Sequence, residues 1–397
     1  MKKIVVIGSS AASIGFLTKL RQLDSKSKII CISKSKHLPY NKCLLADYIA
    51  QTANEDRVFF KDLNFFKKNN IELFLDTKVI NLNTTKNLIS LENKKQIKFD
   101  LLFIGTGTSP TIPQIKNIEN LKHIFTFQTI DDAWAISDFI KNKKVKNATI
   151  VGTGLTGIEL ADTLSCLNIK INLIGKYKQI MPNQLDKNAA AIIEKLISKR
   201  NINFIKNTVV TEIKKGYKLF FDNKKNIQTN MMIFATGNKT NIDFLQKSKI
   251  KIQDDAILTN EYMQTNIKNI YAGGDVCLVK DILTKEYVRS STWPDATKQG
   301  MIAASNIKDK KEIYQGIIQT TCSHIFGKTF ISCGSIAQTP KNCKIIIKKD
   351  QDFYHKFLIK DDKLIGFILL GKINQVGFFK KMILEKLSCK SLSNLES

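Results

Sequence analysis

The sequence lacks the long apolar runs and the clustered cysteines or histidines that mark membrane, disulfide-rich and metal-binding proteins. A bilayer span needs roughly 18 consecutive apolar residues, whereas LIGFILLG at 364–371 is about the longest run in this chain. The eight cysteines stand singly, with no C-x-x-C pair, and the four histidines show no metal-ligand spacing. We therefore expect reduced thiols, no metal, no membrane partner and a cytoplasmic protein.

Acidic residues are also scarce, with 35 Asp and Glu against 62 Lys and Arg and a net charge of +27. One interpretation is attraction to an acidic redox partner, a nucleic acid or an anionic surface. The other is an abundance of lysine encoded by A/T-rich codons, because the lysines of 140–147 and 345–350 fall at loops and element ends. Charge runs are usually solvated surface, so we favour the second interpretation and expect no nucleic-acid partner.

The clearest motif that is present is ATIVGTGLTGIE at 148–159, an apolar strand followed by a G-x-G-x-x-G turn and a helix. Such glycines permit a tight turn and a close backbone approach, and the helix N-terminus binds a pyrophosphate through its N–H groups and dipole. Because the motif lies in a strand–helix–strand unit, it predicts a dinucleotide site. The turn residues are Gly152, Gly154, Leu155, Thr156 and Gly157.

The end of the next strand is where dinucleotide sites place a carboxylate for the adenosine ribose, about 20 residues on. Here that strand is KINLIG, and Gly175 takes the place of the acid, followed by Lys176 and Lys178. No carboxylate would repel a 2′-phosphate, and two ammonium groups would attract one. The sequence therefore predicts that NADPH is accepted at least as well as NADH.

A weaker copy of the motif opens the chain, MKKIVVIGSSAAS at 1–13. Gly8 is kept, whereas Ser10 and Ser13 replace the later glycines, and the next strand ends in Ser33 instead of an acid. The apolar run breaks at Gly8, so a first Rossmann strand explains the segment better than a secretory signal does.

YAGGDV at 271–276 supports a second nucleotide site at this first motif. A strand at 270–272 delivers Asp275 just past two glycines, where a carboxylate can bond a ribityl hydroxyl. The helix that follows can face a flavin phosphate with its N-terminus. A protein with two nucleotide sites can pass electrons from one to the other, so we expect a two-cofactor redox enzyme.

The chain is also organised as two similar halves and a tail. Each half begins with strand, glycine turn and helix, and closes on a strand followed by G-T-G at 105–107 or A-T-G at 235–237. This indicates an internal duplication. The tail, 310–397, predicts an antiparallel sheet with a hairpin turned at Asp361 and Asp362, and a closing helix.

Together these motifs resemble the FAD-dependent pyridine nucleotide-disulfide oxidoreductase superfamily over essentially the whole length. The matching pieces are Gly8, GTGTSP, GTGLTGIE, ATGNKTN, YAGGDV and WPDATKQGMIAASNI. PYNKCLLADYIA at 39–50 is similar to the segment in rubredoxin reductases and in the flavin module of assimilatory nitrite reductase large subunits, and the tail resembles the small C-terminal domain of those reductases.

The resemblance implies an α/β fold with two Rossmann-like domains, the second inserted in the first, and a small C-terminal α+β domain. The FAD domain would span 1–112 and 242–308, the NAD(P)H domain 113–241, and the C-terminal domain 309–397. Glu159 would lie near the nicotinamide and, with Lys42, count among the catalytic residues. FAD would contact Gly8, Ser10, Ala11, Ala12, Ser33, Lys34, Lys42, Val79, Thr106, Gly107 and Asp275. NAD(P)H would contact the residues of the second glycine turn together with Lys176 and Gly237.

Cys43 leaves the subfamily open, because it aligns with the single redox-active cysteine of CoA-disulfide reductases. It lies in a segment, 40–50, expected to form a helix, and beside Lys42 a thiolate would be stabilised. The alternative is a small apolar residue packed in the core. The family's C-x-x-x-x-C pair is absent, and Ala11 stands where NADH peroxidases and oxidases have a histidine.

We therefore expect an FAD-dependent NAD(P)H oxidoreductase whose acceptor is a small acidic electron-transfer protein, such as a rubredoxin, or a partner reductase subunit. One alternative is a disulfide or persulfide reductase that uses Cys43 on a low-molecular-weight acceptor. A second is a flavoprotein with mainly an interaction role, as in apoptosis-inducing factor, which resembles the same family. We expect a monomer or a homodimer.

Overall fold

The computed structural model describes residues 1–334, 336 and 339–389, with the backbone alone for Asn120. Residues 390–397 of the expected C-terminal domain lie outside the described residues. The helices are α1 Ala11–Leu23, α2 Leu45–Ile49, α3 Glu55–Val58, α4 Leu63–Lys68, α5 Ile130–Lys143, α6 Leu155–Cys166, α7 Lys187–Ile197, α8 Trp293–Ile307 and α9 Val376–Glu385, with 3-10 turns at Lys42–Leu44, Ile118–Asn120 and Asp243–Leu245.

Strands alternate with helices through the first two thirds of the chain, as the sequence predicts, and the strands from residue 320 onward form an antiparallel sheet. They are β1 Lys3–Ile7, β2 Lys28–Ile32, β3 Ile71–Phe74, β4 Val79–Asn83, β5 Leu88–Leu91, β6 Gln96–Lys98, β7 Leu101–Ile104, β8 Thr108–Pro110, β9 Ile124–Thr126, β10 Asn147–Val151, β11 Lys170–Ile174, β12 Ile202–Ile205, β13 Val210–Lys214, β14 Lys218–Phe221, β15 Asn226–Gln228, β16 Met232–Phe234, β17 Asn238–Thr240, β18 Ile252–Gln253, β19 Ala256–Leu258, β20 Ile270–Ala272, β21 Cys277–Lys280, β22 Tyr287–Arg289, β23 Thr320–Ile325, β24 Lys328–Gly334, β25 Lys344–Lys349, β26 Tyr354–Lys360 and β27 Lys363–Leu370.

The chain divides into two compact units. The first unit comprises residues 1–45, 53–109 and 238–317. Its main sheet has the parallel order β20-β7-β1-β2-β3. The central strands β7, β1 and β2 are mostly apolar and buried, as expected where other elements cover both faces of a parallel sheet.

Two helices of the first unit pack unusually closely, α1 against α8. A Cβ atom at Gly300 would overlap the Ala12 carbonyl oxygen, and one at Gly15 would overlap that of Thr297. The glycines therefore allow backbone-to-backbone approach. This contact holds the start of α1 beside the chain that follows β20.

The second unit comprises residues 46–52, 110–237 and 318–397. It contains a second parallel sheet, β12-β11-β10-β16-β9, and the small antiparallel sheet β13-β14-β15. Its last part is the antiparallel sheet β23-β24-β27-β26-β25. The two parallel sheets with helices between their strands confirm the predicted α/β class.

The C-terminal sheet contains the predicted hairpin. Asp361 and Asp362 join β26 to β27 with φ of 50° and 59°, the conformation of a two-residue turn of type I′. Helix α9 packs on this sheet, where the Phe379 ring lies 4.8 Å from that of Phe357. No helix within the described ranges is both long enough and apolar enough to cross a membrane.

The helix expected over 40–50 is present over 42–49, but it is divided into two short pieces. The segment begins with the 3-10 turn Lys42–Leu44 and continues as the short α2, Leu45–Ile49. Asn41 is the N-cap of the 3-10 turn, and its side chain accepts a hydrogen bond from the Cys43 N–H at 3.0 Å. Gln51, with φ of 60°, ends the helical segment.

Candidate active site

The helices that follow the two glycine turns begin without a side-chain cap. Ser10 precedes α1 and Gly154 precedes α6, and neither side chain bonds the first helical N–H groups. In contrast, Thr129, Asp186 and Thr292 cap α5, α7 and α8. Helix α9 shares the uncapped start, but no glycine turn precedes it. Uncapped N–H groups at a glycine turn suit a phosphate.

In the second unit, the three motif glycines lie in different surroundings. Gly152 has φ of 123°, and a Cβ atom there would overlap the Ala235 carbonyl oxygen. A Cβ atom at Gly157 would overlap the Gly152 carbonyl oxygen, whereas no atom lies within 4 Å of one at Gly154. The first glycine thus permits the turn, the third permits close packing of α6, and the second leaves space for a ligand. Leu155 and Thr156 follow in the first turn of α6.

The first glycine turn accommodates a serine, Ser13, in place of the third glycine of the motif. Gly8 has φ of 105°, and a Cβ atom there would overlap the Gly105 carbonyl oxygen. Ser13 is buried in α1 at the place of the third glycine, and Gly105 makes room for its hydroxyl, since a Cβ atom at Gly105 would overlap it. The replacement therefore leaves the turn intact.

Ser33, at the place of the missing ribose acid, is buried beside the same turn. The Ser9 hydroxyl donates to the Ser33 Oγ atom at 2.9 Å, and the Ser35 N–H donates to it at 3.2 Å. Ala11 and Ala12 are buried in the first turn of α1. Because these side chains are small, they leave the first N–H groups of α1 accessible to a ligand.

Asp275 lies in a turn that α8 fixes. The Gly274 N–H donates to Oε1 of the buried Gln299 at 2.7 Å, and a Cβ atom at Gly274 would come within 3.1 Å of Ala12 Cβ. The turn therefore lies at the start of α1. Burial raises the pKa of Asp275, and the charges of Lys42 and Arg289 oppose that shift. A partly buried carboxylate between cations suits a ligand hydroxyl that donates to it.

Asn241 joins three of the predicted FAD residues. Its N–H donates to the Gly107 carbonyl oxygen at 2.9 Å, and its side-chain amide donates to the Thr106 carbonyl oxygen at 2.9 Å. Ser109 donates to Asn241 Oδ1 at 2.7 Å and accepts from the Lys34 ammonium at 3.0 Å. The structure thus brings Lys34, Thr106 and Gly107 together through Asn241, which lies in the quoted ATGNKTN motif but was not among the predicted site residues.

Val79 and Cys43 lie elsewhere in the first unit. Val79 is buried in the core at the start of β4, where it pairs with Leu91. Cys43 is exposed in the 3-10 turn that follows Asn41. An exposed thiol is the form that a reactive cysteine requires, and the core-residue interpretation does not fit this exposure.

Glu159 is half-buried on α6 in the second unit, and its carboxylate is fixed. The Ser323 hydroxyl of β23 donates to Glu159 Oε1 at 2.6 Å. Burial raises the pKa of Glu159; the Ser323 hydrogen bond lowers it and the charge of Asp47 raises it. Ser323 lies 164 residues away in sequence and carries no motif, so sequence reasoning did not find it.

At the predicted ribose end of the second site, the structure gives a steric reason for the glycine. Gly175 is buried, and a Cβ atom there would lie 2.8 Å from Thr153 Cγ2 and 3.1 Å from the Phe204 ring. Lys176 and Lys178 follow and are exposed. Gly237, with φ of 110°, accepts hydrogen bonds from the N–H and hydroxyl of Thr111.

The lysines after Gly175 give a prediction on cofactor choice. We expect NADPH to be used at least as well as NADH, and Lys176→Glu to lower kcat/KM for NADPH about tenfold with little change for NADH, since one exposed lysine–phosphate bond contributes about 1–2 kcal/mol. Steady-state kinetics with both nucleotides measure this. Lys170→Glu, at the other end of β11, is the matched control. An NADH preference above about tenfold in the unsubstituted protein would contradict the prediction.

The residues present fit both implied cofactors. In the first unit, the N-terminus of α1 has no side-chain cap and follows a glycine turn, which fits the phosphate of FAD. The Asp275 carboxylate nearby fits a ribityl hydroxyl. The second unit combines a helix N-terminus without a side-chain cap at Gly154 with exposed lysines after the next strand, which fits NAD(P)H.

Comparisons with known proteins agree with this geometry. The family model described as pyridine nucleotide-disulphide oxidoreductase matches residues 2–300, and the model of the rubredoxin NAD+ reductase C-terminal domain matches residues 321–387. NADH-rubredoxin oxidoreductase of Clostridium acetobutylicum is 28% identical over 398 residues, covering 100% of this chain and 98% of that protein. NAD(P)H coenzyme A polysulfide/persulfide reductase of Pyrococcus horikoshii is 28% identical over 324 residues, covering 80% of this chain and 72% of that protein.

Among solved structures, reduced Bacillus anthracis CoADR-RHD has the same fold, with a TM-score of 0.93 at 22% identity over 98% of this chain and 74% of that chain. The predicted fold, cofactors and enzyme class are thereby confirmed. The chain belongs to the pyridine nucleotide-disulphide oxidoreductase family and is an FAD-dependent NAD(P)H oxidoreductase.

Proposed function

We propose that this oxidoreductase passes electrons from NAD(P)H through FAD to a small electron-transfer protein of the rubredoxin type, with an acidic docking surface. The observation that carries the proposal is the C-terminal match, residues 321–387, to the domain of rubredoxin NAD+ reductases. The full-length similarity to a NADH-rubredoxin oxidoreductase supports it. The net charge of +27 would favour an acidic partner.

In this proposal the FAD domain spans 1–112 and 242–308, the NAD(P)H domain 113–241 and the C-terminal domain 309–397, and the first unit contains the flavin site. Asp275 accepts a hydrogen bond from a ribityl hydroxyl, and the open start of α1 binds the phosphate. Lys42 offsets the charge of Asp275. The residues proposed to hold FAD are Gly8, Ser10, Ala11, Ala12, Ser33, Lys34, Lys42, Val79, Thr106, Gly107 and Asp275.

The second unit contains the nucleotide site in the same proposal. The start of α6 binds the pyrophosphate, and Lys176 contacts the 2′-phosphate. Glu159 lies near the nicotinamide, where an ionised carboxylate favours the positive ring left by hydride loss. When bound, the cofactors supply the electron chemistry, a hydride passing from nicotinamide to flavin. The residues proposed for this site are Gly152, Gly154, Leu155, Thr156, Gly157, Glu159, Lys176 and Gly237.

A panel of acceptors tests the partner. NADPH-dependent reduction of rubredoxin, a ferredoxin, CoA disulfide and an artificial dye is measured at matched concentrations and over a salt series. We expect rubredoxin to have the largest kcat/KM and its rate to fall steeply as salt rises, because salt screens attraction between opposite charges. A rubredoxin rate no higher than that of CoA disulfide would contradict the proposal.

A disulfide or persulfide acceptor is the second candidate function, because Cys43 is exposed and a persulfide reductase is among the relatives. A Cys43 thiolate would attack one sulfur of a disulfide, form a mixed disulfide and release the other sulfur as a thiolate. Two electrons from the reduced flavin would then release the second thiolate. This second function therefore requires Cys43 for the reduction of a disulfide or persulfide.

Substitution of Cys43 separates the two functions. If rubredoxin is the acceptor, Cys43→Ser should reduce rubredoxin and dye at rates within about twofold of the unsubstituted protein, since the thiol takes no part in that transfer. If a disulfide is the acceptor, the same variant should lose disulfide reduction and keep dye reduction. Cys322→Ser, a second exposed cysteine, is the control in the same assays.

A further inference from the structure

The C-terminal sheet contacts α6 at two points in the second unit. The Ser323 hydroxyl of β23 donates to Glu159 Oε1 at 2.6 Å, and the Phe326 N–H donates to Asp162 Oδ2 at 2.7 Å. Glu159 and Asp162 are three residues apart, so they lie on one face of α6. Both bonds involve a carboxylate and are therefore among the stronger hydrogen bonds.

The contact at Phe326 fixes the position of β23. Phe326 and Gly327 form the turn between β23 and β24, with φ of 50° and 76°. Because Asp162 accepts from the backbone of this turn, the strand that carries Ser323 is held in register against α6. The Ser323 hydroxyl is therefore placed by a defined hairpin, which a flexible loop would not achieve.

We infer that Ser323 is a positioning residue for hydride transfer, through which the C-terminal domain orients the Glu159 carboxylate in the nicotinamide site. The inference rests on the proposed place of Glu159 near the nicotinamide. Neighbouring Cys322 is exposed on the same strand, where consecutive side chains point to opposite faces. The strand thus presents one specific hydroxyl to Glu159.

The charges around Glu159 give Ser323 a second effect. Burial raises the pKa of Glu159, the Asp47 charge raises it as well, and the Ser323 bond lowers it. Asp162 is the other carboxylate on this face of α6. Loss of the Ser323 hydroxyl should raise the pKa of Glu159 further, so the carboxylate becomes protonated at a higher pH.

Anaerobic stopped-flow reduction of the flavin by NADPH, measured on the FAD-loaded enzyme from pH 5 to 9, tests the inference. In Ser323→Ala we expect reduction about threefold to tenfold slower at neutral pH, as for loss of one charge-assisted bond. The acid limb of the pH profile should move to higher pH. Ser323→Thr, which keeps a hydroxyl, should restore the pH profile, and Cys322→Ser should match the unsubstituted protein.

The variant Glu159→Gln distinguishes an error in the positioning role of Ser323 from an error in the proposed place of Glu159 near the nicotinamide. If Glu159→Gln is slow and Ser323→Ala reduces its flavin at the unsubstituted rate with an unmoved pH profile, the positioning role is wrong. If Glu159→Gln itself is unchanged, the proposed place of Glu159 is wrong, and the inference fails with it. In the double variant, the effect of Ser323→Ala should disappear, because Ser323 acts through Glu159. Flavin reduction precedes the acceptor, so a wrong acceptor alters none of these results.

Discussion

Asp275→Ala should yield protein that is largely free of flavin. Asp275 follows Gly274 in the turn at the start of α1, and the charges of Lys42 and Arg289 act on its carboxylate. A charge-assisted bond to a ligand hydroxyl contributes about 1.5–3 kcal/mol. FAD content after purification should therefore fall about tenfold or more. The flavin-to-protein absorbance ratio and the stoichiometry of released FAD measure this directly.

Two further variants make the result specific to the charge of Asp275. Asp275→Asn keeps the shape of the side chain and should also lose FAD. Ser33→Ala should keep most of it, since a neutral bond contributes about 1 kcal/mol and the Ser33 hydroxyl is already bonded to Ser9. An unchanged FAD stoichiometry in Asp275→Ala would contradict the assignment.

Gly157→Ala should impair nucleotide binding by distorting the second glycine turn. A Cβ atom there would overlap the Gly152 carbonyl oxygen, and overpacking of this kind costs about 1–3 kcal/mol. The Kd for NADPH should rise about 10- to 100-fold, and the melting temperature should fall. FAD content should remain that of the unsubstituted protein, because the substitution lies in the other unit.

Gly154→Ala is the matched test of the ligand space. Gly154 has φ of −73°, and no atom lies within 4 Å of a Cβ atom there, so the melting temperature should not change. NADPH binding should still weaken, because the methyl group would occupy the approach of the pyrophosphate. NADPH titration and thermal unfolding of both variants separate steric strain from lost ligand space. Normal NADPH affinity in Gly154→Ala would contradict the proposed phosphate position.

The sequence predicted those parts of the fold that depend on local rules. The strand–turn–helix units, the hairpin at Asp361 and Asp362 and the strand before Asp275 are as expected. In segment 40–50 the helix was predicted, but its division into a 3-10 turn and a short α-helix was not, because apolar periodicity does not distinguish the two helix types.

The candidate site was less predictable wherever distant segments meet. From the sequence, Ser13 breaks the glycine motif. In the structure its hydroxyl fits, because the facing residue, Gly105, has no side chain. Gly175 indicated a missing carboxylate, but only the contact with Thr153 shows why a side chain is excluded. Ser323 has no sequence signal at all, because its role depends on a hairpin packed against α6 from 164 residues away.

Anaerobic mixing of the FAD-loaded protein with NADPH, followed by oxidised rubredoxin, tests the central claim most directly. The account predicts that NADPH bleaches the flavin absorbance within seconds and that rubredoxin restores it while becoming reduced itself. A flavin that neither NADPH nor NADH reduces, or a reduced flavin that rubredoxin leaves unchanged, would contradict the account.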